Sequence, residues 1–154
     1  MRYHHFGDGR YVVRLDSGEE VVASLCAFAA ERKVTAGWVW AIGSLDHVVL
    51  GFLDPKEKVY LKRTFDERLE VGMLSGNLGM EGDKPFAHLH ATVSPRELLS
   101  YTGHCHEGKV GVVVEAFVTA LPGRLERVHD EKHGFLRLFL PGEAPGQEER
   151  ASAR

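Results

Sequence analysis

The succession of short apolar runs after residue 34 restricts the fold more than any other feature of the sequence. These runs are rich in β-branched and aromatic residues, and clusters of Gly with Asp or Asn separate them at short intervals. Short apolar runs separated by such turn residues are typical of strands in a largely antiparallel sheet or barrel. Counting an earlier run at 10–15, the predicted strands are 10–15, 35–42, 48–53, 58–64, 69–79, 86–93, 109–119 and 134–140. Residues 94–97 open either a short helix or a turn into a strand over 98–101.

One segment near the N-terminus has helical periodicity instead. Its apolar residues recur at a spacing of three and four positions: Val21, Leu25, Phe28 and Ala29. This spacing predicts an amphipathic helix over residues 18–32. Ser17 and Glu20 match the S-x-x-E capping box that often precedes a helix. One helix among many strands predicts an α+β fold.

The length and charge of the chain set further limits. A chain of 154 residues is expected to form one domain. Its net charge of −3 excludes binding of nucleic acid through bulk positive charge. The terminal segment 142–154 has no Leu, Ile, Val or aromatic residue, so we expect a disordered tail.

The sequence favours a cytoplasmic protein. No stretch approaches the roughly 20 apolar residues of a membrane span, and no apolar signal region follows the N-terminus. The two cysteines, Cys26 and Cys105, are too few and too far apart to predict a disulfide framework. We therefore expect reduced thiols and no contact with a membrane.

Four of the nine histidines fall between residues 88 and 106. His88 and His90 lie in a predicted strand, where residues two apart project from the same face. His104 and His106 share that spacing. Neutral imidazole suits zinc, copper, iron and nickel, and three histidines with an open position hold catalytic zinc. The pattern therefore indicates a metal site, whereas the alternative is two pairs of hydrogen-bonded surface histidines.

The other five histidines are expected to be incidental. We expect His4 and His5 to belong to a disordered N-terminus and His47 to lie in an exposed loop. His129 and His133 flank an acidic pair in a hairpin-like segment.

An ordered set of motifs over residues 8–141 resembles the PPC domain (plants and prokaryotes conserved). The matching segments are 14–15 with 18–20, 39–45, 69–78, 85–90, 103–104 with 107–108, and 114–115. The resemblance implies an α+β fold in which a twisted, mostly antiparallel, barrel-like sheet packs against one main helix. It also implies a homotrimer, and it favours a turn and strand over 94–101.

Members of this family with the histidine triad bind a metal. The resemblance implies that His88, His90 and His104 are the ligands of zinc or another divalent transition metal. His106 and Glu115 are expected either to contact and orient the ligand histidines or to act as a further ligand. For Glu115, a polar contact between subunits is an equal alternative.

The resemblance implies a DNA-associated or regulatory role carried out through a trimeric scaffold that can recruit a protein partner. Direct DNA binding is disfavoured, because the chain has no AT-hook core (R-G-R-P) and a negative net charge. The alternative is a metal-dependent enzyme or small-molecule sensor that uses a metal-bound water, with Glu115 or Glu107 as base. A metal-stabilised trimer without catalysis is a third reading. The sequence favours a non-enzymatic role over an enzymatic one.

Overall fold

The structure is a computed structural model that describes residues 1–140 and 142–143. Those residues form one helix, α1 (Val21–Arg32), and nine strands. The strands are β1 (Arg2–His5), β2 (Arg10–Asp16), β3 (Gly37–Asp54), β4 (Val59–Phe65), β5 (Leu69–Glu81), β6 (Lys84–Ser94), β7 (Tyr101–Ala120), β8 (Glu126–Asp130) and β9 (Phe135–Phe139). The predicted disordered tail, 142–154, lies outside the described residues except for its first two positions. No helix in the described part is long and apolar enough to cross a membrane.

The predicted α+β class is confirmed, and the sheet closes on itself. Strands β3, β5, β6 and β7 form a ring, because β3 and β6 each pair with both β5 and β7. All of these pairings are antiparallel. The ring is not an even barrel: β4 adds to β3, the β1–β2 pair extends from β7, and the β8–β9 pair joins β5.

Two strands of the ring run through positions where the sequence predicts turns. Gly43 lies within the 18-residue β3 rather than at its end. Its φ of +147° bends the strand, and a Cβ there would lie 2.2 Å from the Val113 carbonyl oxygen. Strand β7 likewise continues through Gly103 and Gly108, where the predicted strands leave a gap between residues 101 and 109. His104 and His106 therefore lie on a strand.

Helix α1 begins three residues later than predicted, at Val21. Glu20 is its N-cap, and the carboxylate accepts the backbone N–H three residues further on. The predicted capping box through Ser17 is wrong. Gly18, at a φ of +86°, turns the chain away, and its N–H donates to the Val110 carbonyl in β7.

The core lies between α1 and the inner face of the sheet. Four helix residues are buried at the predicted spacing: Val21, Leu25, Phe28 and Ala29. They share one core cluster with alternate residues of the ring strands, among them the fully buried Val39, Leu74, Leu89 and Val114. Because alternate strand residues face the core, the residues between them point to the outer face.

The two ends of the described chain are ordered. Strand β1 pairs with β2, so the predicted disorder of His4 and His5 is wrong. The ring of His5 stacks on Tyr11 at 4.4 Å between centroids. The hairpin predicted near His129 and His133 is confirmed, since β8 pairs with β9. Residues 95–100 form a turn with Leu98 at a φ of +60°, and no helix is present there.

Candidate metal centre

Strand β6 presents the first two histidines of the candidate site. Ala87, Leu89 and Ala91 are buried on the core side of this strand. His88 and His90 alternate with them and therefore lie on the outer face, as the i, i+2 spacing predicts. His88 is half-buried and His90 is exposed.

Strand β7 brings the third histidine into place. His104 is the register partner of His90 in the antiparallel β6–β7 pair. The ring centroid of His104 lies 5.1 Å from that of His88 and 5.6 Å from that of His90. One nitrogen from each of the three rings lies within 4.8 Å of the other two. The structure thus brings together the three predicted ligands.

The three imidazoles fit a tetrahedral ion. Zinc–nitrogen bonds of 2.0–2.1 Å place two ligands of a tetrahedron about 3.3 Å apart. Separations of up to 4.8 Å exceed that value, so the rings must rotate inward to hold an ion. Nδ1 of His104 is also buried without a hydrogen-bond partner. A buried polar atom with no partner requires an explanation, and a ligand role supplies one.

Burial keeps His88 and His104 neutral at physiological pH. It lowers the pKa of His88 to about 4, and the charges of Arg127 and His90 lower it further. Burial also lowers the pKa of His104 to about 3, helped by the charges of His106 and His88. A histidine must be neutral to ligate a metal, so the pKa shifts favour metal binding.

His106 adjoins the three predicted ligands but is not one of the clustered set. Its ring centroid lies 4.5 Å from that of His104 and 4.7 Å from that of Tyr60. The ring covers Gly51, where a Cβ would lie 2.4 Å from Nε2 of His106. That Nε2 is buried without a partner, and burial lowers the pKa of the ring. His106 therefore packs behind His104, which agrees with a supporting role.

The structure does not bring Glu115 to the histidines. It lies eleven residues beyond His104 on β7, which corresponds to about 35 Å of extended strand. Its side chain is exposed, and its register partners are Arg14 and Ile42. Within one chain it neither ligates nor orients His104, and the contact between subunits stays a prediction.

Cys105 and the candidate base Glu107 lie apart from the centre. Cys105 points into the core between His104 and His106, and burial raises the pKa of its thiol to about 12. It is therefore a protonated core residue. Glu107 is exposed, and its carboxylate lies 3.9 Å from Nε2 of His47.

Arg127 is the residue of the site that no sequence pattern singles out. It is only 5 % exposed. Nη2 donates to Nδ1 of His88 at 2.9 Å and to Oδ1 of Asn77 at 2.8 Å. Nη1 donates to the carbonyl of Leu136 at 2.7 Å. In the sequence Arg127 lies in a charged hairpin and looks like a surface residue, and only the pairing of β8 with β5 brings it here.

Two open cavities adjoin the histidines. One of about 240 Å³ is lined by Tyr60, Phe86, His88, His104, Arg127, His129, Gly134, Phe135 and Leu136. The other, of about 390 Å³, shares Tyr60, His88, His104 and Phe135 with the first and also contacts His90. A molecule in either cavity can therefore approach the ligand set.

The fold and the histidine arrangement agree with a known family. Residues 4–122 match the profile of the Plants and Prokaryotes Conserved (PCC) domain. The chain belongs to this family. No curated protein matches the PCC-domain chain.

Solved structures share the PCC fold over nearly the whole chain. A metal-containing protein from Archaeoglobus fulgidus is 33% identical, with 91% of this chain and 100% of that one covered at a TM-score of 0.80. A plant- and prokaryote-conserved protein from Pyrococcus horikoshii is 27% identical over 82% and 88% of the two chains, with a TM-score of 0.78. A protein from Bacteroides thetaiotaomicron, whose name proposes DNA binding, is 28% identical, with 90% of this chain and 96% of that one covered at a TM-score of 0.85.

Proposed function

We propose that this PCC-domain protein binds a divalent transition metal, zinc before others, through His88, His90 and His104. The observation that carries the proposal is the convergence of three ring nitrogens within 4.8 Å. The similar protein from Archaeoglobus fulgidus is named as metal-containing, which supports the same property here. When bound, a zinc ion with three histidine ligands supplies a Lewis acid with a fourth position open.

Metal analysis of protein purified without a histidine tag tests the proposal. We expect stoichiometric zinc after reconstitution, and its loss in His88→Ala, His90→Ala and His104→Ala. His4→Ala is the matched control, because His4 is exposed on β1 and outside the cluster. Absence of metal from both the purified and the zinc-reconstituted wild-type protein would overturn the proposal.

We further propose that the chain acts as a homotrimer. An apolar outer patch supports this: Trp38, Trp40 and Ile42 on β3 and Phe117 on β7 are between 38% and 55% exposed. The rings of Trp40 and Phe117 lie 5.5 Å apart between centroids. Exposed apolar patches of this kind mark contact surfaces. Glu115 is the register partner of Ile42 on the same patch, which favours its role as a contact between subunits.

In the cell we propose a DNA-associated or regulatory role in the cytoplasm, through the trimeric scaffold and a protein partner. The two cysteines are free thiols, which suits a reducing compartment. The net charge of −3 favours recruitment through a partner over direct contact with DNA. A mobility-shift assay at low salt tests this, and a shift at micromolar protein would contradict it.

The alternative function is a metal-dependent enzyme or small-molecule sensor. One observation favours it, namely the cavity of about 240 Å³ that opens beside His88 and His104. Concave apolar sites with a few polar groups are the usual form of ligand pockets. Within this pocket Arg127 is positioned to bind an anionic group, and Phe86 and Leu136 to exclude water from it.

A further inference from the structure

We propose that the cavity beside the three histidines binds a small organic carboxylate, and that Arg127 holds its carboxylate group. This inference deepens the sensor or enzyme alternative. It rests on the proposed metal site only in placing the carboxylate next to the ligands His88 and His104, since Arg127 itself needs no metal to bind an anion.

The first argument is the unused hydrogen-bonding capacity of Arg127. A guanidinium has five N–H donors. Three of them are used, on the Leu136 carbonyl, Asn77 Oδ1 and His88 Nδ1. Nε is buried and has no partner. Nε has no exposed surface, so the second N–H of Nη1 is the donor left for a group in the cavity.

The second argument is the uncompensated charge of Arg127. Its three hydrogen-bond partners are all neutral, and no carboxylate of the described residues pairs with it. Burial lowers the pKa of Arg127, because the surroundings disfavour its charge. The guanidinium nevertheless stays protonated in proteins. A buried cation without a counterion is strongly unfavourable, so this site favours an anion.

The third argument is the shape of the cavity. Arg127 lines it together with His88 and His104, and its guanidinium lies 5.4 Å from the ring centroid of Phe86. The walls formed by Phe86, Phe135 and Leu136 are apolar. A volume of about 240 Å³ is below the usual range of about 300–1,000 Å³ for ligand pockets. The cavity therefore suits a ligand of few atoms.

These features favour a carboxylate with a short aliphatic body over phosphate. The unused donors, Nε–H and one N–H of Nη1, lie on different edges of the guanidinium, so a single carboxylate oxygen accepts the free N–H of Nη1. The aliphatic body would pack against Phe86, Phe135 and Leu136. Phosphate carries more charge and more acceptors, and apolar walls leave those acceptors without partners.

Titration with isobutyrate tests the inference, with isobutyramide as the uncharged analogue of equal shape. The metal-free and the zinc-loaded wild-type protein are titrated separately, and the Arg127 Nε–Hε signal is followed by ¹H–¹⁵N NMR. We expect a saturable shift with isobutyrate in both forms, with a Kd of about 1 mM or lower, and none with isobutyramide.

Variants locate the site. We expect Arg127→Gln to weaken isobutyrate binding at least about tenfold, which corresponds to about 1.4 kcal/mol. Arg124→Gln is the matched control, because Arg124 is a partly exposed arginine that pairs with Glu126 outside the cavity. If Arg127→Gln fails to fold, the comparison of isobutyrate with isobutyramide on the wild-type protein still decides the matter.

Three results would overturn the inference: no saturable shift in either form, equal binding of isobutyramide, or tighter binding of inorganic phosphate than of isobutyrate. Zinc binding is measured on the same samples. Isobutyrate binding without zinc binding rejects the proposed metal site and leaves this inference standing. Zinc binding without an isobutyrate effect rejects the carboxylate site alone.

Discussion

Nη2 of Arg127 donates a hydrogen bond to Nδ1 of His88 across 2.9 Å. A guanidinium has no acceptor, so Nδ1 must accept, and the proton of the neutral ring lies on Nε2. Metal-binding histidines usually donate their second nitrogen to a carboxylate or a carbonyl instead. His88 therefore has a cation where most such ligands have an acceptor, and in this tautomer neither ring nitrogen is free to ligate. Metal binding requires either that Arg127 release Nδ1 or that Nε2 lose its proton.

Arg127→Met is expected to increase zinc affinity. The guanidinium repels a dication at the neighbouring ring, and even screened repulsion of this kind is on the order of 1 kcal/mol. We expect an increase of about tenfold or more, measured by competition with a chromophoric chelator. Arg124→Met, at the partly exposed Arg124–Glu126 pair, serves as the control. Weaker zinc binding in Arg127→Met would show that the hydrogen bond to His88 supports ligation.

The metal-free protein should lose stability as the pH falls below about 6.5. The pKa of His88 is about 4 and that of His104 about 3 in the folded state, against about 6.5 in the unfolded chain. Between these values the unfolded state binds more protons than the folded state. The free energy of unfolding therefore decreases as the pH is lowered, and it reaches its full value above about pH 6.5.

Urea unfolding of the metal-free protein at pH 7 and pH 5 measures this effect. We expect a smaller drop in the midpoint for His104→Gln than for the wild-type protein. His4→Gln, on the exposed outer strand β1, should retain the full drop. An identical drop in His104→Gln and the wild-type protein would contradict the assignment to His104.

Gly76→Ala is expected to destabilise the pairing of β5 with β6, the strand that carries His88 and His90. A Cβ at Gly76 would lie 1.8 Å from the His88 carbonyl oxygen, so β5 and β6 must separate. We expect a loss of about 3 kcal/mol or more in the free energy of unfolding. Gly72→Ala on the same strand meets no atom within 4 Å and should remain within about 0.5 kcal/mol of the wild-type protein. Equal stabilities in denaturant unfolding would disprove the close approach.

A charge in the outer patch should dissociate the proposed trimer. Phe117 is 49% exposed beside Trp40, and burying an aspartate there without a partner is unfavourable. Light scattering coupled to gel filtration is expected to show trimers for the wild-type protein and monomers for Phe117→Asp. Leu98→Asp is the control, because Leu98 is 77% exposed in a separate loop. A Phe117→Asp trimer would exclude the patch as the interface.

The candidate ligands could be predicted from the sequence because strand alternation is a local property. The i, i+2 spacing alone places His88 with His90 on one face of β6. That His104 lies beside them depends on the pairing of β6 with β7, which the family resemblance supplied and the spacing did not.

Features that depend on distant pairing were not accessible. Arg127 joins His88 because β8 returns to β5, and no local pattern encodes that contact. The separation of Glu115 from His104 follows from one uninterrupted 20-residue strand, in which Gly103 and Gly108 do not form a turn. Glycine within a strand often signals the close approach of another backbone, and the sequence does not distinguish that role from a turn.

The ring of β3, β5, β6 and β7 closes where β6 meets β7, and only four residue pairs join those two strands. His90 and His104 are one of these pairs, so the candidate ligands lie on both sides of this seam. An ion held there would cross-link β6 and β7. An open ring cannot present the complete donor set, and metal capture and closure of the sheet would be a single equilibrium.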